Sequence, residues 1–450
     1  MKNSKVTSLL MAATHVYRSE IESDIDERMK HPYKSSIDDS SIDLKKIKDE
    51  LESSKSHFLI RNFIYSFILV VAIVMLLTSH GNQYEDILGS TIFALFIVEF
   101  FSTLLNKKRI REIINQRWKE DEVTDSDSSF KQPKVVVSGG FSPFIGAGID
   151  LDSWSFPINI DLPADENKPV EEITPTDMHK WIVNHLKELG IDEMEIEEQL
   201  FVNGKDVNHI PELMPNGRLD KPETDLNASF LEDKMFGNDK LMRHYTAVRI
   251  PIYENQVVVS MFFRLLKAKD TLFIESRFFL LRPLSKKYRD LDSTPSKYHF
   301  RDLAGDAILA LIKAPFKSVF GLLQLLSIFS TDRQQFKNWR EEVEDNRLYN
   351  YGWDFSLREK WASKTFERYF QQIDQDLYLK LLTDEFLNSI LSYLKQKNVS
   401  TERFVQTSTK IINEGVMISG GEVKTDSFAV GKGANIVKTA TSKIQGEQAA

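Results

Sequence analysis

The sequence predicts an α+β membrane protein. A two-helix transmembrane hairpin precedes a cytoplasmic antiparallel β-sheet domain with helices, a helical C-terminal region and a short β-prone tail. Three observations carry this. Two apolar stretches, 63–79 and 87–105, lie seven residues apart. Three consecutive segments rich in Val, Ile, Phe and Tyr, His244–Tyr253, Gln256–Leu266 and Thr271–Leu281, have the composition and spacing of a meander. Helical apolar periodicity returns after Leu303.

These signals divide the chain into N-terminal cytoplasmic helices (1–57), the hairpin (58–106), a basic juxtamembrane helix with an acidic linker (107–133), the α+β domain (134–300), a helical region (301–400) and the tail (401–450). The amphipathic stretch Val6–Met29 carries Leu9, Leu10, Ala13, Val16 and Tyr17 at helical spacing and is closed by Pro32, and a charged helix from Ile42 leads into the first span. At about 1.5 Å per residue each apolar stretch approaches the hydrocarbon thickness of a bilayer. The intervening His80–Asp86 has Glu85 and Asp86 but no Lys or Arg. Lys45, Lys46, Lys48, Lys55 and Arg61 precede the first span, and Lys107, Lys108, Arg109, Arg111, Arg117 and Lys119 follow the second. The positive-inside rule then gives an inner-membrane, two-pass protein with both termini cytoplasmic.

Glu99 is an ionisable group inside the second span, where its insertion costs on the order of 2–3 kcal/mol. Thr91, Glu99, Ser102 and Asn106 fall on one helical stripe, and Ser66 is expected at similar depth on the neighbouring helix. The stripe is a packing face or the lining of an oligomeric pore.

In the cytoplasmic domain, Val135–Val137 and Ile149–Ile160 read as strands with Gly139, Gly140, Gly146 and Gly148 between them. Thr174-Pro-Thr-Asp177 has the form of a helix start with Pro at its first position, and Gly190 suits its end. Asn203-Gly204 suggests a tight hairpin. Leu303–Phe329 is apolar but broken by Asp306, Lys313, Pro315 and Lys317. Its Ile308, Leu311, Ile312, Phe316, Val319 and Leu323 suit an interfacial segment or a buried helix pair. From Arg358 to Lys395 a long helical region follows, with Phe366, Tyr369, Phe370, Ile373, Leu377, Leu381 and Leu387 as its expected core.

Across 450 residues, 58 basic and 66 acidic side chains give a net charge of −8, which disfavours a nucleic-acid partner. The absence of cysteine excludes disulfides, thiolate zinc sites and cysteine nucleophiles. The Gly140–Gly146 interval lacks the Lys and Ser or Thr of a phosphate-binding loop, so Gly139–Gly148 is a glycine turn or a backbone anion nest. His179 and His185 are six apart, unlike zinc ligands, and no Gly-x-Ser-x-Gly elbow occurs. Asp270, Glu275 and Arg277 lack the lysine of a nuclease layout. No catalytic, cofactor or metal residue is expected. In the tail, Ile418, Gly420, Gly421, Val423, Val430, Gly431 and Ile436 form two β-prone pieces suited to self-assembly.

Pro143-Phe144-Ile-Gly146-Ala-Gly148, Trp154-Ser-Phe156, Arg243-His244-Tyr245, Phe273-Ile-Glu275 and Leu281-Arg-Pro-Leu284 together resemble a family of uncharacterised bacterial membrane-hairpin proteins, frequent in actinobacteria, over roughly Gly139 to Pro295. The resemblance implies a membrane hairpin with a shared cytoplasmic domain and no assigned activity. The tail is similar to glycine-rich C-terminal motifs of bacterial conflict proteins, which implies antiviral defence. The expectation is a non-enzymatic sensor and effector that self-assembles on the lipid bilayer as a homo-oligomer and perturbs it, in antiviral defence or stress signalling. The alternatives are a membrane-anchored adaptor that recruits a cytoplasmic protein through its β domain, and a hydrolase whose polar side chains would cluster around Trp154 and Arg243.

Overall fold

The computed structural model describes residues 5–35, 42–79, 83–120, 134–295, 297, 299–327 and 332–414. The tail residues Ile418 to Ile436 lie outside them. The fold is α+β: long apolar helices, then a six-stranded sheet with helices, then a helical C-terminal region.

The N-terminal stretch is two helices instead of one, α1 (Lys5–Ala13) and α2 (Arg18–Lys30). Thr14 turns its hydroxyl back onto the Met11 carbonyl at 2.7 Å, and the break presents His15 to Glu50. Asp43 caps α3 (Leu44–Thr78) by accepting from the Lys46 amide, and α3 runs unbroken from its charged start into the apolar stretch. With α4 (Gln83–Glu120) it forms a pair of helices long and apolar enough to cross a membrane. Few residues of either apolar window are buried, unlike the core helices of a soluble protein.

The sheet follows, with β1 (Val135–Ser138), β2 (Ile149–Asn159), β3 (Glu195–Asn203), β4 (Met242–Ile252), β5 (Val257–Ala268) and β6 (Thr271–Leu281) in the order β1-β3-β4-β5-β6-β2. The three-strand meander is as its composition predicts. The sheet is mixed, however, because β1 pairs with β3 in parallel and only the other pairs are antiparallel. Asn203-Gly204 makes no hairpin, since β3 finds its antiparallel partner in β4. Gly204 serves close approach instead: a Cβ there would lie 2.2 Å from Asn350 Oδ1 and 2.4 Å from the Gly352 nitrogen.

Helix α5 (Pro175–Glu188) starts at Thr174, whose hydroxyl accepts from the Asp177 amide at 3.1 Å. It packs on one sheet face, where Met178, Ile182 and Leu186 meet Val248, Met261 and Phe263. The short α6 (Ala228–Lys234) and α7 (Lys286–Arg289) flank the meander. After these come α8 (Phe300–Ser327), α9 (Asp332–Asp345), α10 (Leu357–Lys360), α11 (Tyr369–Gln396) and α12 (Glu402–Glu414).

The expected helical region is present, as α10 and α11 with a break between them, and the expected core is out of phase at the start of α11. Tyr369, Phe370, Ile373 and Leu377 are exposed, whereas Gln371 and Gln375 are buried. Gln371 Oε1 accepts from the Glu367 and Arg368 amides, so that side chain serves the helix start. Farther along, Leu379, Leu382, Phe386, Leu387 and Ile390 join α5 over the sheet.

Candidate functional site

Helix α8 is not a helix pair. It is one helix packed against both α3 and α4. As α8 advances, its contacts fall back along both partners. Asp306 takes Lys107 at 2.6 Å and Lys317 takes Glu99, so α8 advances as α4 recedes. Gly321 lies against Asn62, while Lys317 shares Glu99 with Tyr65, so α8 also advances as α3 recedes. Because α3 and α4 form a hairpin of opposite directions, this is the register of a helix laid across both. Ile308, Leu311, Ile312, Phe316, Val319 and Phe320 remain exposed on it.

Glu99 is 1% exposed at this crossing. The Tyr65 hydroxyl donates to its Oε2 at 2.6 Å, Lys317 pairs with Oε1, and Arg61 Nη1 stands 3.7 Å away. The stripe read from sequence is thus a packing face at Glu99. Tyr65, not Ser66, supplies the hydroxyl, since Ser66 donates to the Asn62 carbonyl within its own helix. Ser102 and Asn106 line a small cavity beside it. Thr91 belongs to neither: about two turns before Glu99, it donates to the Ile87 carbonyl of its own helix.

The glycine turn between β1 and β2 is an anion nest. The Gly146 and Gly148 amides donate to Glu359 Oε1 at 2.9 and 2.8 Å. Beside them Phe144 is buried among Phe201, Tyr245, Phe262 and Phe279, with ring centroids 4.7–5.1 Å away. Phe144, Gly146, Gly148 and Tyr245 therefore meet on the sheet face opposite α5. Trp154 and Phe156 stack on each other and pack toward α11 and α12 on the other face. Arg243 is exposed, and it stands on β4 while Trp154 stands on β2, with β5 and β6 between them. The polar cluster that a hydrolase would need around those two residues is not assembled. Asp270 likewise closes the β5–β6 turn, apart from the Tyr245–Glu275–Arg277 contacts.

Sequence reasoning missed the residues that join the two halves. Arg358 on α10 is fully buried and donates to the carbonyls of Gln256 and Arg282 in the sheet domain. Glu359 fills the nest. Lys360 and the Trp361 indole then both reach Asp24 of α2, at 2.6 and 2.8 Å. Ser356 caps this turn with a reciprocal Ser–Glu359 box, the one local signal that marks it. Trp361, Leu357 and Tyr288 are continuous with Ile25, Ile47 and Ile113 in one apolar cluster. A cleft of about 690 Å³ opens beside the junction, lined by Phe144, Leu281, Arg282, Asp354, Lys360 and Lys364.

His244 and His179 converge on a carboxylate instead of on each other. They stand 2.8 and 3.0 Å from the oxygens of Glu198, to which Thr246 also donates. Burial pushes the Glu198 carboxyl up, but the two imidazoles outweigh it and hold it at about 2. A folded pKa below the unfolded value means that the group stabilises the protein above about 4.5 and loses that contribution as the pH falls toward 2. Melting curves across this window should therefore fall more steeply for the wild type than for Glu198→Gln. Parallel curves would show that the carboxylate is unpaired in solution. Among the described residues no group of His, Asp and Glu is arranged to hold a metal ion.

A family model described as the AbeC-like domain matches residues 153–424, more than half of the chain, and the chain belongs to that family. The match begins inside β2, so the membrane-length helices and the glycine turn precede it. No curated protein and no solved structure matches the chain.

Proposed function

We propose that this member of the AbeC-like domain family is a bacterial inner-membrane sensor and effector of abortive-infection-type defence, acting without catalysis by perturbing the bilayer. The family supports the defence theme, and two membrane-length helices support the location. Basic flanks on both helices support cytoplasmic termini. The observation that carries the reading is the contact path from the glycine nest through Glu359, Lys360 and Trp361 to Asp24, which ties the sheet domain to α2, itself packed on the apolar helix α3. A cue bound in the adjoining cleft would act on that path. The exposed apolar residues of α8 would be what meets lipid. Self-assembly is assigned to residues 416–436.

Dye uptake by cells expressing the protein tests this. Phe316→Asp puts a charge on the exposed face of α8, and Asp24→Ala removes both junction contacts. Each should lower dye uptake by about tenfold or more at equal membrane content. Wild-type uptake by both variants would reject the reading. A second reading, an adaptor that docks its partner on α11 instead of on the β domain, has its own observation, the exposed Tyr369, Phe370, Ile373 and Leu377. It would replace the first reading if Phe370→Asp abolished protection while dye uptake never rose above background.

A further inference from the structure

Between the α1–α2 turn, α3, α4 and α8 lies a cavity of about 250 Å³, and none of its lining residues is acidic. Arg18, Arg61 and Lys317 face it together with His15, Ser102 and Asn106. The two guanidinium carbons stand 3.6 and 4.7 Å from the centroid of the Phe58 ring, which holds both cations at one spot. Burial lowers the Arg18 pKa; Glu22 opposes this, and the Arg61 charge adds less strongly to the lowering.

The surrounding carboxylates do not balance these charges. Glu22 serves both Arg18 and Lys55, Glu99 serves both Lys317 and Arg61, and Glu50 serves Arg109 with His15. Glu112 adds a second carboxylate to Arg109, but the three cations that line the cavity, Arg18, Arg61 and Lys317, pair with only Glu22 and Glu99, and Glu22 is shared with Lys55. Arg61 Nε and His15 Nδ1 are buried without a hydrogen-bond partner. Two clustered guanidiniums, an ammonium, a hydroxyl and an amide around a space below drug size are the chemistry of a phosphate site.

We propose that this cavity binds a phosphate-bearing anion, held by Arg18 and Arg61 with Lys317, Ser102 and Asn106. Its source is a phospholipid headgroup or a soluble phosphate ester. Phe58 and Arg61 lie just before the first apolar stretch and Ser102 and Asn106 at the end of the second, at the level a headgroup occupies. The lipid source rests on the membrane reading above, whereas the anion chemistry does not.

The test uses the full chain, delipidated in a neutral detergent, with thermal unfolding as readout. Phosphatidylglycerol, phosphatidylcholine and glycerol 3-phosphate are added in turn. Phosphatidylglycerol should raise the unfolding temperature of the wild type by about 5 °C, and phosphatidylcholine should not. Arg18→Gln with Arg61→Gln should lose most of the shift. Lys45→Gln with Lys108→Gln, which removes equal charge from exposed positions, should keep it. Ser102→Leu fills the cavity without removing a cation and should weaken binding roughly tenfold, which keeps the test decisive where the arginine pair fails to fold. A shift with glycerol 3-phosphate at millimolar concentration assigns the soluble source, and a shift with the lipid alone assigns the headgroup. Equal lipid shifts in all variants, or no shift from any anion, overturn the site. None of these readouts depends on dye uptake, so failure of the membrane-perturbing reading leaves the result standing.

Discussion

Reversing the charge at Lys317 is expected to detach α8 from the hairpin. In Lys317→Glu the nearly inaccessible Glu99 loses its closest cation and faces a second carboxylate, leaving it only the Tyr65 hydroxyl and Arg61 at 3.7 Å. Removing one partner of a buried pair costs about 3–5 kcal/mol, because the remaining charge keeps its desolvation penalty without its compensation. Lys317 is 42% exposed, so most of that cost falls on Glu99. The double exchange, Glu99→Lys with Lys317→Glu, restores opposite charges and should recover much of the loss. A cross-link reports the result directly. A Cβ built at Gly321 lies 3.5 Å from the Asn62 Cβ, within the span of a disulfide, and the chain has no cysteine of its own to compete. Asn62→Cys with Gly321→Cys should therefore oxidise efficiently in the otherwise wild-type chain, poorly with Lys317→Glu, and again in the double exchange. Equal yields in all three would show that the ion pair does not hold α8 in place.

That pair also shows where sequence reading stops. Asp306 and Lys317 look like interruptions in an apolar helix because their partners, Lys107 and Glu99, lie about two hundred residues earlier. Periodicity reports only which face of a helix is apolar, and compensation from another element leaves no local trace. The same limit holds at the nest. Its glycines were legible, but the anion inside it is Glu359, 211 residues after Gly148. Where the signal is local the reading holds: Thr174 and Pro175 start α5, and the β-branched and aromatic runs become β4, β5 and β6. The phase of α11 failed for a related reason. Apolar residues are expected to mark its buried side, but the first two turns bury Gln371, which satisfies the helix start, and Gln375 one turn on. At Glu99 the neighbouring hydroxyl came from one residue earlier than expected. One residue is a rotation of about 100° on a helix, enough to exchange an outward-turned side chain for a buried one.

The second large effect is expected at Gly148. Its φ of +93° already disfavours any side chain, and a Cβ there would fall 2.2 Å from the Leu280 carbonyl oxygen and 2.7 Å from the Leu281 Cα, both backbone atoms of β6. Neither can rotate away, so Gly148→Ala must push the turn off the strand. Strain of about 1–3 kcal/mol adds to an overpacking cost of similar size, and a total near 4 kcal/mol lowers the unfolding temperature by roughly 10 °C in a domain of this length. Gly217 separates the two causes, because its φ is +84° with nothing within 4 Å of the added carbon. Gly217→Ala should show the strain alone, about 1 kcal/mol. Moving the turn also withdraws two amides from Glu359, whose neighbours Lys360 and Trp361 hold Asp24 on α2. Destabilisation in Gly148→Ala should therefore spread to the helices below the sheet, seen as faster amide exchange in α2 as well as in the turn. Glu359→Gln keeps an acceptor for both amides, giving up the Ser356 amide bond to the other oxygen, and should leave α2 protected. If Gly148→Ala and Gly217→Ala melt alike, or α2 exchanges no faster, the glycine turn is only a bend in the chain and the junction transmits nothing.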